Sequence, residues 1–204
     1  MAKIKYTKTE QKNQQDALKQ FRRFLPTLQL KKQQLQVEVR QSVERVEANR
    51  ENMKQLTGKL SSLLTFFGDS AEAEFFASKV EVSRVIAGTA NIAGITIPVF
   101  EKVEFVPLEW DLLETPWHAD ECIAALKEMI SLRAAGRILE QQYALLLAEL
   151  VTTTQRVNLF EKVKIPECKE NIRRIRIYMS DQETSAVARS KIAKKKGAAH
   201  DGQS

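Results

Sequence analysis

Apolar residues recur at alternating three- and four-residue intervals through the first third of the chain. That spacing dictates a long helix that needs a partner. A grid of a and d positions begun at Leu18 lands on Leu18, Phe21, Leu25, Leu28, Leu35, Val39, Val46, Met53, Leu56, Leu60, Leu63 and Phe67. It misses only at Lys32, Ser42 and Asn49. Twelve hits in fifteen is the period of a coiled coil, not of a strand. A helix from about Thr7 to Phe67 makes a rod of roughly 90 Å, too thin to bury its own stripe.

A second periodic segment runs from about Asp120 to Met179 or beyond. Met129, Leu132, Leu139, Tyr143, Leu146, Leu150, Val157 and Phe160 fit one grid. Ile165, Cys168, Ile172, Ile175 and Met179 fit another, displaced by one residue just before Pro166. An interior proline removes a backbone bond and clashes with the carbonyl four residues back, so a local bend is expected there. Gly136 and Thr153 occupy grid positions without large side chains, which lets backbones approach closely. Two matching stripes in one chain favour intramolecular antiparallel pairing. Matching Phe67 to about Leu126 places Pro26 opposite Pro166, a paired bend in one rod.

The stretch between the helices has another texture. "KVEVSRVIAGTANIAGITIPVFEKVEF" alternates and is rich in Val and Ile, which predicts strands near 80–86 and 92–100 around a turn at Gly88–Asn91. Gly68 to Phe76 predicts a short capped helix, and Glu101 to Pro116 reads as irregular. The expected organisation is mainly α: an N-terminal coiled-coil helix over 1–67 and a central globular part over 68–119 with a β-hairpin at about 80–100. A C-terminal coiled-coil helix over 120–185 and a basic, disordered tail over 186–204 complete it. Both termini build the antiparallel pair.

Charge is distributed along this plan. Residues 1–67 carry 14 Lys/Arg against 6 Asp/Glu, residues 68–121 carry 3 against 11, and residues 156–196 carry 12 against 5. The ends are basic and the middle is acidic. The longest uncharged run, Val85 to Phe100, is too short for a bilayer span and contains Gly and Pro. The N-terminus has no apolar signal region. A cytoplasmic location is expected. The two cysteines, Cys122 and Cys168, lie roughly 70 Å apart on a continuous helix, far beyond disulfide reach.

Signals for catalysis are poor. No phosphate-cradling glycine loop is present. His118 has acidic neighbours, but a single His without ligand spacing reads as a solvated loop residue. Glu101, Glu104 and Glu109 could hold a catalytic pair, although a solvated acidic face explains them more simply. No catalytic residue, cofactor or metal is expected. Arg173, Arg174 and Arg176 are either a solvated helix face or a docking surface for an acidic partner. Lys194, Lys195 and Lys196 lack interleaved aromatics and are a weak nucleic-acid signal.

"RVNLFEKVKIPECKENIRRIR" resembles the C-terminal signature of the D subunit of V/A-type rotary ATPases, whose pattern is roughly R-V-N-A-L-E-x-V-x-I-P. Arg156, Val157, Asn158, Glu161, Val163, Ile165 and Pro166 match it, with Leu159 where Ala is usual and Phe160 where Leu is usual. "TKTE" (Thr7 to Glu10) and "LQLKKQQL" (Leu28 to Leu35) resemble the family's N-terminal pattern. The resemblance covers nearly the whole chain.

It implies a non-catalytic rotor shaft, peripheral to the membrane. The two ends would form a long antiparallel coiled coil that enters the catalytic A/B hexamer. The lower part would join the small F subunit of the stalk and the funnel-like C subunit on the membrane ring. Torque would pass between ring and hexamer during ATP synthesis or hydrolysis, driven by H⁺ or Na⁺. The implied contact candidates are Arg156, Asn158, Glu161, Arg173, Arg174 and Arg176, with Pro26 and Pro166 as the bend. The alternative is a basic coiled-coil scaffold or nucleic-acid-binding protein. It explains the pI of about 9.3 but neither the acidic middle nor the V-N-x-x-E-x-V-x-I-P pattern.

Overall fold

Thr7 starts the first helix. Its hydroxyl accepts from the Glu10 backbone N–H at 3.2 Å, and Glu10 in turn accepts from the Gln14 amide at 2.9 Å. The T-K-T-E run is therefore half of a capping box, with the glutamate turned forward along the helix. The computed structural model describes residues 5–67, 79–107 and 119–201. Helix α1 is Lys8–Phe67, strand β1 is Val82–Ile92 and strand β2 is Ile95–Phe105. Helix α2 is Ala119–Asn158, a π-helical segment spans Leu159–Lys164, and helix α3 is Ile165–Asp201. The chain is mainly helical with one two-stranded antiparallel sheet. The predicted helix at Gly68 to Phe76 lies outside the described residues, as do His118 and Glu109.

Two compact units divide the chain. One comprises Lys32–Thr152, and the other joins the N-terminal arm up to Lys31 with everything from Thr153 onward. Within the first, α1 buries Leu35, Ser42, Asn49 and Leu56, seven residues apart, and also Leu60. Ser42 and Asn49 are thus grid positions that sequence hydrophobicity misses but packing keeps. Ser42 donates to the Glu38 carbonyl of its own helix at 2.8 Å. Asn49 donates across the helix pair to the Leu132 carbonyl at 3.1 Å. It reaches that carbonyl because Gly136 has no Cβ; one placed there would stand 2.7 Å from the Asn49 amide nitrogen.

The hairpin lies along this helix pair. An isolated two-stranded hairpin is marginal in water, so it must bury a face. Ile97 does so, in a cluster with Leu35 of α1 and Leu146 of α2, flanked by Val39, Ala90, Ile92, Ile95 and Leu150. At the other end Phe105 packs on Val80, Ala119, Cys122 and Ile123. Eleven residues per strand reach about 36 Å, and Ile123 to Leu146 on α2 is ~35 Å. The Gln142 amide also donates to the Pro98 carbonyl.

The turn differs from the sequence expectation. It is not at Gly88–Asn91 but at Ala93–Gly94, with φ of 52° and 81°. Two positive φ values in a two-residue loop make a type I′ turn, whose twist suits a hairpin. The Asn91 side chain accepts from the Gly94 N–H at 3.0 Å and closes it. Ala at a left-handed position hides the turn from sequence. Gly88 serves a different need, since a Cβ there would meet the Glu101 carboxylate across the sheet. β2 also runs past Phe100 to Phe105, carried over a register shift between Ile86 and Ala87. Replacing Ala93 by Gly should remove left-handed strain at a smaller entropic cost, a net gain of about 0.5 kcal/mol. A thermal melt of this variant should rise by ~1–2 °C; no rise would contradict the strain.

In the second unit, α1 pairs antiparallel with the chain from Thr153 onward. Tyr6 stacks on Tyr178 and Phe21 on Phe160, each with ring centroids 5.0 Å apart. The Asn171 amide reaches Gln14 at 3.4 Å. Residue numbers at one level of an antiparallel pair share a constant sum, and these pairs give about 183. Matching Phe67 to Leu126 implies a sum larger by about nine. Pro26 therefore stands level with about Val157, and Pro166 with about Ala17, ~13 Å apart along the axis instead of opposite. The expected level differs because Phe67 and Leu126 are not at one level: the contacts of Asn49 with Leu132 and Gly136 also give a sum of about 183. The helix also does not end near 185: α3 continues to Asp201, with residues 181–195 exposed. Ala and Lys are the commonest residues of that stretch, and their helix propensity sustains it without packing.

Candidate functional site

The cationic cluster sits on α3 where the helix faces away from α1. Ile175 is fully buried and Cys168 and Asn171 are nearly so. Arg173, Arg174 and Arg176 fall between and beside them and are exposed. The 3.6-residue period makes this division: an inward 168–171–175 stripe forces 173, 174 and 176 outward.

Glu170 organises two of the three arginines. It takes a two-pronged contact from Arg173, Nε to one oxygen and Nη2 to the other, both at 2.9 Å. Arg174 Nε donates to one of the same oxygens at 2.9 Å. A glutamate three and four residues ahead of an arginine is the favourable order on a helix. The hydrogen bonds from Arg173 and then Arg174 hold the Glu170 carboxyl down at about 2. Arg176 has no ion pair among the described residues. Three cations stand out in the sequence; the Glu170 that gathers two of them does not, although its spacing is a usable signal.

These shifts have a sign. Glu170 is depressed from 4.5 to about 2, so its pairing stabilises fully above pH 4.5 and the benefit is lost as pH falls toward 2. Glu104, likewise held at about 2 by Lys102 and Arg84, acts in the same window. The melting temperature should therefore decline between pH 4.5 and 2, and Glu170→Gln should make that decline shallower. A pH series of melts in which the Glu170→Gln curve runs parallel to the parent would refute the assignment. Both pairs are solvent-exposed, so the effect at neutral pH is small.

The remaining candidates lie around the π segment. Arg156 is near the end of α2 and Asn158 is its last residue; both are exposed, and Asn158 makes no side-chain cap. Glu161 lies within the π segment and is exposed. Pro166 is the second residue of α3, and Pro26 lies inside α1; both are exposed. Arg173 and Arg174 are brought together on Glu170. Among the described residues no hydrogen bond or ion pair joins Arg156, Asn158 and Glu161 to one another or to that cluster. Nearby, Lys164 pairs with Glu167 at 3.1 Å.

In the acidic middle, Glu104 is neutralised by two cations. Glu104 binds Arg84 at 2.7 Å and Lys102 at 2.8 Å. It is held as a structural anion, which does not suit an acid–base role. Among the described residues no group of three or more His, Cys, Asp or Glu is placed to hold a metal. Both cysteines are buried free thiols, and burial raises the Cys168 thiol above its usual range. No described helix is long and apolar enough to cross a membrane. The arrangement offers exposed charge on a helix pair.

The sequence has known relatives. The sequence model of the ATP synthase D-subunit family matches residues 10–195. The V-type ATP synthase D subunit of Borreliella burgdorferi is 44% identical over 194 residues, covering 95% of each chain. The proteins of the same description from Chlamydia muridarum and Chlamydia pneumoniae are 30% identical over 195 residues and 29% over 193. These span 96% and 95% of this chain and 96% and 92% of the relatives.

Proposed function

Because the chain belongs to the ATP synthase D-subunit family, we propose that it is the central rotor shaft of a V/A-type rotary ATPase. In this role it carries torque between a membrane ring and a catalytic A/B hexamer, with the small F subunit and the funnel-like C subunit as its neighbours below. The observation that carries the reading is α1: sixty residues of one helix whose inward positions keep heptad spacing from Leu18 to Leu60. Within each compact unit that stripe is packed antiparallel against the C-terminal half of the chain.

Packing of this kind suits torque. A lone helix twists easily, while interlocked side chains on two helices resist relative rotation. The exposed arginines suit a moving contact. Charges in water attract at moderate strength and exchange partners at low cost, whereas a dry apolar contact would hold one orientation. A shaft whose faces differ gives each catalytic site a different contact, and differential contact is what shifts a site between conformations.

The test is a rotary complex assembled with and without this chain. With it, ATP hydrolysis should drive rotation of a bead attached to an engineered cysteine near the hairpin. A bead that stays fixed to the hexamer while ATP is hydrolysed at full rate would end the proposal.

A further inference from the structure

The π segment stands where two sequence registers meet. Thr153, Val157 and Phe160 follow the first grid, and Thr153 and Val157 are buried. Continued as a regular α-helix, that grid would turn Lys164, Glu167, Asn171 and Arg174 toward α1. Instead Cys168 and Ile175 are buried, and Glu167 and Arg174 are exposed. Asn171 keeps a place inside through its bond to Gln14. The apolar inward positions after the segment lie one residue later than the first grid places them.

The backbone shows how. The Ile165 N–H bonds to the Phe160 carbonyl, five residues back. A turn bonded five residues back holds one more residue than an α turn. The extra residue is absorbed between Leu159 and Lys164, immediately ahead of Pro166, which could not donate to a regular ladder in any case. The opposing helix makes no such adjustment: Leu18, Phe21, Leu25 and Leu28 keep three-and-four spacing, all half-buried.

We infer that Leu159–Lys164 is a register adaptor: its wide turn takes up one residue so that α3 keeps Cys168 and Ile175 against α1 and holds Glu167 and Arg174 outward. The adaptor belongs to the helix pair itself and does not depend on the rotor reading. It makes an unusual demand on mutagenesis. Deleting one residue from a coiled coil normally misplaces every core side chain beyond the cut. Deleting one from the π segment restores a plain α turn and leaves both registers aligned.

The test uses the full chain with Cys122→Ser and Cys168→Ala, and with Gln14→Cys and Asn171→Cys as a register reporter. The two reporter side chains are in contact in the parent and should cross-link on oxidation. Deletion of Lys162 should keep the cross-link and melt within about 3 °C of the parent. Deletion of Arg22, on the helix with no adaptor, should lose the cross-link and melt ~10 °C lower. Should the Lys162 deletion melt low with its cross-link intact, adding Pro166→Ala removes the proline from the restored turn and should recover the melt. Loss of the cross-link on Lys162 deletion, or a low melt that Pro166→Ala does not recover, overturns the adaptor.

Discussion

Leu146→Ala should destabilise the hairpin-bearing unit by about 3 kcal/mol, lowering its melting temperature by ~6–12 °C. Leu146 is 1% exposed and meets Leu35 at 0% and Ile97 at 2%. Three elements converge there, so the lost methyl groups leave a void that none of them fills without shifting another. The substitution should also loosen one element more than the others. The helices keep the rest of their stripe, but the hairpin loses the anchor for its distal half. Backbone amide exchange should accelerate in β1 and β2 before it does in α1. Uniform acceleration across all three would show that the hairpin is not separately held, and a melt within 1–2 °C of the parent would show that the site collapses without cost.

On the proposed rotor role, reversing Arg173, Arg174 and Arg176 to Glu should weaken association with the proposed hexamer partner by about 100-fold, since like charges brought together at an interface cost several kcal/mol. The helix should survive, because all three side chains are exposed. Arg176→Glu alone should account for a large share, as Arg173 and Arg174 are already shared with Glu170 and Arg176 is not. Association measured at rising salt provides the check, because a contact made by these cations must weaken as salt screens it. Unchanged affinity and unchanged coupling of hydrolysis to rotation in the triple variant would remove this face from the proposed contacts.

The helix pair is legible in sequence because its signal is periodic and long. Even the grid's gaps are informative: Ser42 and Asn49 are buried at the positions the spacing assigns them. A one-residue slip before Pro166 is visible in the sequence, and the π segment is its structural form. What sequence hides is local and steric. Gly88, Thr89, Ala90 and Asn91 look like a turn, yet they are strand, and Ala93 takes a positive φ that its type disfavours. The level of the two prolines depends on which residues of the two stripes face each other, which periodicity alone does not fix. The charge of the stretch beyond 185 suggests disorder, although Ala and Lys runs are also good helix formers. The contact residues are the least legible of all. Charges on a helix surface look alike in sequence, and only coordinates show that Glu170 has taken two of them.

The notch at Gly136 carries a consequence for which helices can pair. A heptad stripe is indiscriminate, since any second stripe of the same period can cover it. α1 has a single glycine, Gly58, which is exposed and off the stripe. Two α1 helices from separate chains could therefore bury their leucines against one another but could offer Asn49 no opening to a carbonyl. Each stranded amide would cost about 1–3 kcal/mol. An α2 helix supplies the gap that Asn49 fills. One asparagine and one missing methyl group thus favour pairing of α1 with α2 over pairing of α1 with a second α1.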